Sequence, residues 1–207
     1  VRQTKDPDIF YRATPYFTKI LMDQGYDEVC KLDADQIILG NLDHIWEGEF
    51  DLAGVFNSNP REDKLNPIRL LDINPAFYLN CGFVVMRSRE FVEHWLNLCM
   101  SDHFKNYQYR EQDLLNIMVF YGNYKIKFLD QSNKFHGLIS KGYWNNVELR
   151  EDKLILPKNT EFPQDEDKEI VCIHTAGGNS PTKMKLGPYF KPEVIKYMEN
   201  LTETRLR

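Results

Sequence analysis

The sequence predicts a mixed α/β domain in which ligands gather where strands end. Strand-like apolar runs alternate with helical periodicity, and no internal repeat or linker interrupts them. The first of those strands also delivers two carboxylates at its C-terminal end, the usual place for a ligand in such folds.

The elements follow in order. Thr14-Pro15 reads as a helix start, a cap followed by proline in the first turn. Phe17, Ile20, Leu21 and Gln24 continue at helical spacing, and Gly25 ends the run. Glu28 to Leu32 is a short strand leading into Asp33-Ala34-Asp35. After a loop and an apolar stretch with Leu42, Ile45 and Trp46, a second strand spans Leu52 to Phe56. Asn57 to Asn74, dense in prolines, asparagines and charges, reads as a long surface excursion. Phe77 to Met86 is rich in β-formers and is interrupted by Asn80-Cys81-Gly82. Ser88 caps a helix through Met100 that carries Phe91, Val92, Trp95, Leu96 and Cys99 on one face. Another helix begins near Arg110 and carries Leu114, Leu115, Ile117, Met118 and Phe120. Strand-like runs recur at Lys125 to Leu129, Leu154 to Leu156 and Ile170 to His174, and Pro192 to Leu201 is a terminal helix.

Bulk properties bound the function. At 207 residues, 42% of them apolar, the chain is long enough for one domain with a substantial core and too short for two ordinary ones. It opens on Val1, and the pattern starts abruptly; the expectation is a single domain over 1–207 that is incomplete at its N-terminus. A net charge of −5 and a pI near 5.6 argue against a nucleic-acid partner. No apolar run approaches the roughly 20 residues of a membrane span. Cys30, Cys81, Cys99 and Cys172 lie in apolar segments without paired spacing and read as buried, reduced thiols. That suits a cytoplasmic setting, with the Golgi lumen as the alternative if a preceding segment carries an anchor.

The sharpest chemical feature is Leu32-Asp33-Ala34-Asp35. Two carboxylates flanking one alanine at a strand end offer hard oxygen ligands to a divalent cation, which commonly completes its shell with substrate phosphates. Alone, the pair could equally be two solvated acids in a turn.

The run from Tyr26 to Leu42, YDEVCKLDADQIILGNL, resembles the central segment of glycosyltransferase family 8, with Trp46 at the family's tryptophan position. Three further segments match in order. Phe77 to Met86 resembles the family's Phe-Asn-x-Gly strand, Glu111-Gln112-Asp113-Leu114-Leu115-Asn116 its Asp-Gln-x-x-Leu-Asn helix start, and Ile173-His174-Thr175-Ala176-Gly177 its His-x-x-Gly element. The resemblance implies a GT-A-like α/β/α sandwich with a mixed central sheet, lacking its first βαβ units. It also implies a metal-dependent transfer, retaining the anomeric configuration, from a nucleoside diphosphate sugar, a UDP-sugar by the same resemblance, to a hydroxyl acceptor on a glycan, lipid or protein. By the same resemblance the metal ligands are Asp33, Asp35 and His174. The donor contacts are Asp33, Ala34, Asp35, Asn80, Cys81, Gly82, Gly177, Lys183 and Lys185, and the catalytic pair is Glu111 and Gln112. Glu111 and Gln112 are expected to face the site, and Asp113 to face away, so that Asp113→Asn costs little. The imidazole in the ligand set favours Mn2+ over Mg2+.

Each motif has a plainer reading. Asn80 and Gly82 could mark a bulge in a core strand, Glu111 could complement a helix dipole, and Lys183 and Lys185 could be solvated. The sequence departs from the family where a lysine normally follows His-x-x-Gly: Ser180 and Pro181 stand there, and Lys183 and Lys185 come later. Tyr143 and Trp144 are candidates for an acceptor platform. The sequence also admits two rival functions. One is a non-catalytic nucleotide-sugar or glycan-binding module. The other is a haloacid-dehalogenase-type phosphatase, disfavoured because Gln36 and Ile37 follow the second aspartate.

Overall fold

The computed structural model describes residues 8–57, 71–74, 77–129, 132–138, 144–158, 166–174 and 190–205. Two compact units emerge. The first comprises Val1–Leu32 and Ile45–Phe128, the second Asp33–His44 and Leu129–Arg207. Strands and helices are numbered along the chain.

In the first unit, helix α1 (Asp8–Asp23) is followed by β1 (Val29–Leu32), β3 (Leu52–Phe56), β4 (Leu79–Met86), α2 (Arg89–Met100), α3 (Glu111–Tyr121) and β5 (Ile126–Phe128). The four strands form a mixed sheet in the order β1-β4-β3-β5, antiparallel except for the parallel β3–β5 pair. Every residue of β3 and β4 is buried, Asn80 included. Helix α2 begins as expected: Ser88 accepts a hydrogen bond from the Phe91 N–H, and Phe91, Val92, Trp95 and Cys99 enter the core.

Helix α1 departs from expectation. It starts at Asp8, not at Thr14, and carries Pro15 in its interior. A mid-helix proline forfeits one backbone hydrogen bond, yet Pro15 falls on the buried stripe with Asp8, Thr18 and Met22. Packing on that stripe, against α2 and β1, outweighs the local preference. Phe17 and Leu21 lie on the exposed side instead. The helix does stop at Gly25: its φ of +98° places it in the left-handed region, with Gly25 N–H bonded to the Met22 carbonyl and Tyr26 N–H to that of Leu21.

In the second unit, β9 (Lys168–His174) is the central strand. Strands β2 (Gln36–Ile38) and β8 (Lys153–Leu156) pair with successive stretches of it, both antiparallel. Strand β6 (Lys134–Leu138) runs parallel to it, and β7 (Glu148–Arg150) extends the sheet beyond β8. Helix α4 (Pro192–Arg205) contributes Val194 and Met198 to a core with Val147, Leu154, Leu156, Ile170, Ile173 and Phe190. Strands β2, β6 and β7 are three to five residues long, too short for alternation to announce them. All four cysteines are free; Cys30 is half-buried and the other three are buried. Among the described residues no helix is long and apolar enough to cross a membrane.

Candidate functional site

The carboxylates of Asp33 and Asp35 meet the His174 imidazole within the second unit. Strand β1 ends at Leu32, and the chain then turns, with Gln36 N–H bonded to the Asp33 carbonyl. Strand β2 starts at once and pairs with β9 so that Gln36 stands opposite His174. That register carries both aspartates to the end of β9. His174 Nε2 lies 3.1 Å from Asp35 Oδ1 and 3.5 Å from Asp33 Oδ2, and one ligand atom from each residue falls within 4.8 Å of the others. Two ligands at right angles on a cation with bonds of about 2.1 Å lie about 3 Å apart, so this spacing suits one ion. His174 is 3% exposed while both aspartates reach solvent, which leaves an open side for further oxygen ligands. The donor set therefore fits a divalent cation, with Asp33, Asp35 and His174 as its holders.

A second group forms in the first unit, where α3 lies against β4. The β3–β4 register shifts between Gly54 and Val55, opposite Cys81 to Phe83 of β4. Side chains satisfy the backbone there. Asn80 Oδ1 accepts from Gly82 N–H at 2.7 Å, Gln112 Oε1 accepts from Cys81 N–H at 2.8 Å, and Lys31 Nζ donates to the Cys81 carbonyl at 2.8 Å. Asn116 acts like one more peptide for Leu79, taking its N–H at 2.6 Å and donating to its carbonyl at 2.9 Å. The register shift at Asn80-Cys81-Gly82 is the irregularity that the bulge reading expected. Glu111 stands at the start of α3, its carbonyl accepting from Trp95 Nε1.

Asp113 is buried in the core. Its Oδ1 accepts from the Tyr78 hydroxyl and its Oδ2 from Tyr109 N–H. Burial raises its pKa above the ordinary 3.8, with the Tyr78 and Tyr109 hydrogen bonds opposing that shift, and burial also raises the pKa of Tyr78. A carboxyl whose folded pKa is raised contributes stability below its unfolded pKa and loses it as pH rises through the folded value. Wild type should therefore lose stability relative to Asp113→Asn as pH climbs from about 3.8. Denaturant titrations at a series of pH values check this, and a wild type that gains on the variant as pH rises contradicts it.

Gly177, Lys183, Lys185 and Tyr143 lie outside the described residues, as does the side chain of Trp144. Ala34 occupies the turn between the aspartates and is exposed. Sequence reasoning overlooked Lys31 and the polar work of Asn116. It also overlooked a histidine pair in the second unit, where His44 Nε2 lies 2.6 Å from Nε2 of the buried His136. No spacing rule joins residues that far apart in the chain.

No family model matches the sequence, and no curated protein does. Solved structures do. The galactosyltransferase LgtC, in complex with donor and acceptor sugar analogs, superposes with a TM-score of 0.57 at 15% identity, over 90% of this chain and 66% of its own. An active-site mutant of LgtC gives 0.55 at 14% identity, over 86% and 62%. The bifunctional glycosyltransferase WbbM gives 0.52 at 18%, over 91% and 35%. The chain spans less than two thirds of the length of each of these proteins. At such identities the likeness is one of fold: this chain has the α/β, GT-A-like fold of the glycosyltransferases LgtC and WbbM.

Proposed function

We propose that the chain belongs to a metal-dependent glycosyltransferase that moves a sugar from a nucleoside diphosphate donor, UDP-linked, to a hydroxyl on a glycan, lipid or protein. The observation that carries this reading is the Asp33–Asp35–His174 cluster at a strand end, in a fold shared with sugar-transferring proteins. A divalent cation, Mn2+ or Mg2+, supplies Lewis-acid stabilisation of the diphosphate charge that grows as the glycosidic bond breaks. Asp33 and Asp35 offer the anionic oxygens, and the β9 backbone holds the His174 imidazole against them. Family resemblance assigns Asn80, Gly82, Glu111 and Gln112 to the sugar, and Lys183 and Lys185 to the phosphates.

The reading includes retention of anomeric configuration. Inversion needs a carboxylate base within reach of the acceptor hydroxyl. Asp113 is unsuited, being fully buried with both oxygens engaged, which leaves Glu111 as the carboxylate of this segment. Proton NMR of the first-formed glycoside should show the donor's configuration; an inverted product sinks this part of the reading.

The broader test is a thermal-shift screen of nucleotide sugars with and without manganese, followed by assay of free sugar released from the best donor. A catalyst releases sugar slowly, whereas a binding module returns intact donor. His174→Ala should weaken manganese binding and flatten its loss in acid, because protonated imidazole cannot ligate. Unchanged affinity and pH profile in that variant would make His174 structural only.

A further inference from the structure

Helix α3 opens on a strained residue. Arg110, its N-cap, has φ +50° and ψ −118°, the conformation of the first central residue of a type II′ turn, where glycine is the usual occupant. The closing bond of such a turn is present, with the Gln112 N–H donating to the Tyr109 carbonyl at 3.0 Å. Glu111 and Gln112 are therefore the last two residues of the turn. Gln112 Oε1 in turn accepts from the Cys81 N–H at 2.8 Å. Asp113 Oδ2 braces the first residue of the turn by accepting from the Tyr109 N–H at 2.8 Å.

A residue with a Cβ stays in that conformation only where its surroundings over-determine it. The Arg110 guanidinium provides the contacts. Its Nη1 donates to the carbonyls of Lys105 at 2.9 Å and Tyr107 at 2.6 Å, and its Nε donates to Asp8 Oδ1 at 3.3 Å. Asp8 opens α1 and is buried. The Arg110 and Asp8 side chains are 28% and 12% exposed, so water screens the ion pair only in part. We propose that Arg110 is a positioning residue, whose guanidinium, fastened to Asp8 and to the chain before the turn, holds the strained backbone that aims Glu111 and Gln112. Glycine would suit the turn but has no side chain to fasten it, and lysine lacks the planar fork that reaches three acceptors. That the turn serves a sugar rests on the glycosyl-transfer reading; the clamp does not.

Amide hydrogen exchange tests the clamp with neither donor nor metal present. Arg110→Gly is the informative variant, because glycine suits the turn backbone and the change removes only the guanidinium contacts. In it the Gln112 and Cys81 amides should exchange about tenfold faster, as expected when charge-assisted hydrogen bonds are lost. The Val92 amide, bonded to the Ser88 carbonyl in α2 of the same unit, should stay within about twofold. Arg110→Lys keeps the charge without the fork and should leave Cys81 nearly as fast as in Arg110→Gly. Asp8→Asn should move Gln112 and Cys81 the same way, by about threefold. With the best donor from the thermal-shift screen, kcat of Arg110→Gly should fall about tenfold while KM stays within about twofold. The proposal is overturned if Cys81 keeps the wild-type rate in Arg110→Gly, if Val92 accelerates with it, if lysine restores protection, if Asp8→Asn changes nothing, or if kcat survives while exchange quickens. A wild type that turns over no nucleotide sugar but shows the expected exchange pattern would remove the transfer reading and leave the clamp standing.

Discussion

Manganese is expected to raise the melting temperature of the wild-type chain and to leave Asp33→Asn and Asp35→Asn nearly unmoved. A ligand at about a hundred times its Kd stabilises the native state by about 2.7 kcal/mol. For a chain of this size that corresponds to a rise of roughly 5–10 °C. Each substitution removes an anionic oxygen from a set whose remaining members are one carboxylate and one imidazole. Both aspartates reach solvent and close on the same imidazole, so without a cation their charges oppose one another and neither variant should lose apo stability. The signature is therefore an unchanged or slightly raised melting temperature without metal and a shift under a third of wild type with it. Equal manganese shifts in all three proteins would end the assignment of the site.

Asn116→Ala should be the most damaging single polar-to-alanine change within α3. The Asn116 side chain makes three hydrogen bonds, two to the Leu79 peptide groups and one to the Gln112 carbonyl. Both Asn116 and Leu79 are fully buried, so alanine leaves the N–H and C=O of a core strand without partners. At about 1–3 kcal/mol for each abandoned buried group, the loss is about 3 kcal/mol, or roughly 6–12 °C. The exposed Asn97 is the control, where alanine should change stability by less than about 0.5 kcal/mol. Chemical denaturation of the two variants decides the matter, and a similar small loss in both would mean that water replaces the Asn116 amide at Leu79.

These two sites differ in how far the sequence announced them. Asp33 and Asp35 stand out because an apolar strand ends on them, a local pattern. His174 was legible only through family resemblance, since its meeting with Asp35 depends on the pairing of Gln36 opposite His174. The helices α2 and α3 and the strands β3 and β4 were readable from apolar spacing, and Ser88 and Gly25 from cap and stop chemistry. The start of α1 was not, because Asp8 belongs to a buried stripe paired with Arg110, a tertiary fact. Asp113 and Asn116 were visible as letters in a motif. Whether a polar side chain serves a ligand or a neighbouring strand depends on which backbone groups the fold leaves unpaired. Strand β1 pairs with β4 only between Phe83 and Met86, and no residue within α3 foretells that Asn116 would bond Leu79 beyond that stretch.

The second unit is discontinuous in the chain, with Asp33–His44 separated from Leu129–Arg207 by most of the first unit. Pairing β2 with β9 brings Cys172 Sγ to Gln36 Oε1 across a separation of 136 residues. Closing a loop of that length costs about 2 kcal/mol more entropy than closing one of about ten residues. Helices α2 and α3 and strands β3, β4 and β5 also contact one another within Ile45–Phe128, at shorter range. Folding should accordingly proceed from this inserted stretch outward, its compaction shortening the effective loop before β2 finds β9. The cation ligands would be the last residues to meet, so metal capture would report completion of folding and should appear as a late kinetic phase in refolding.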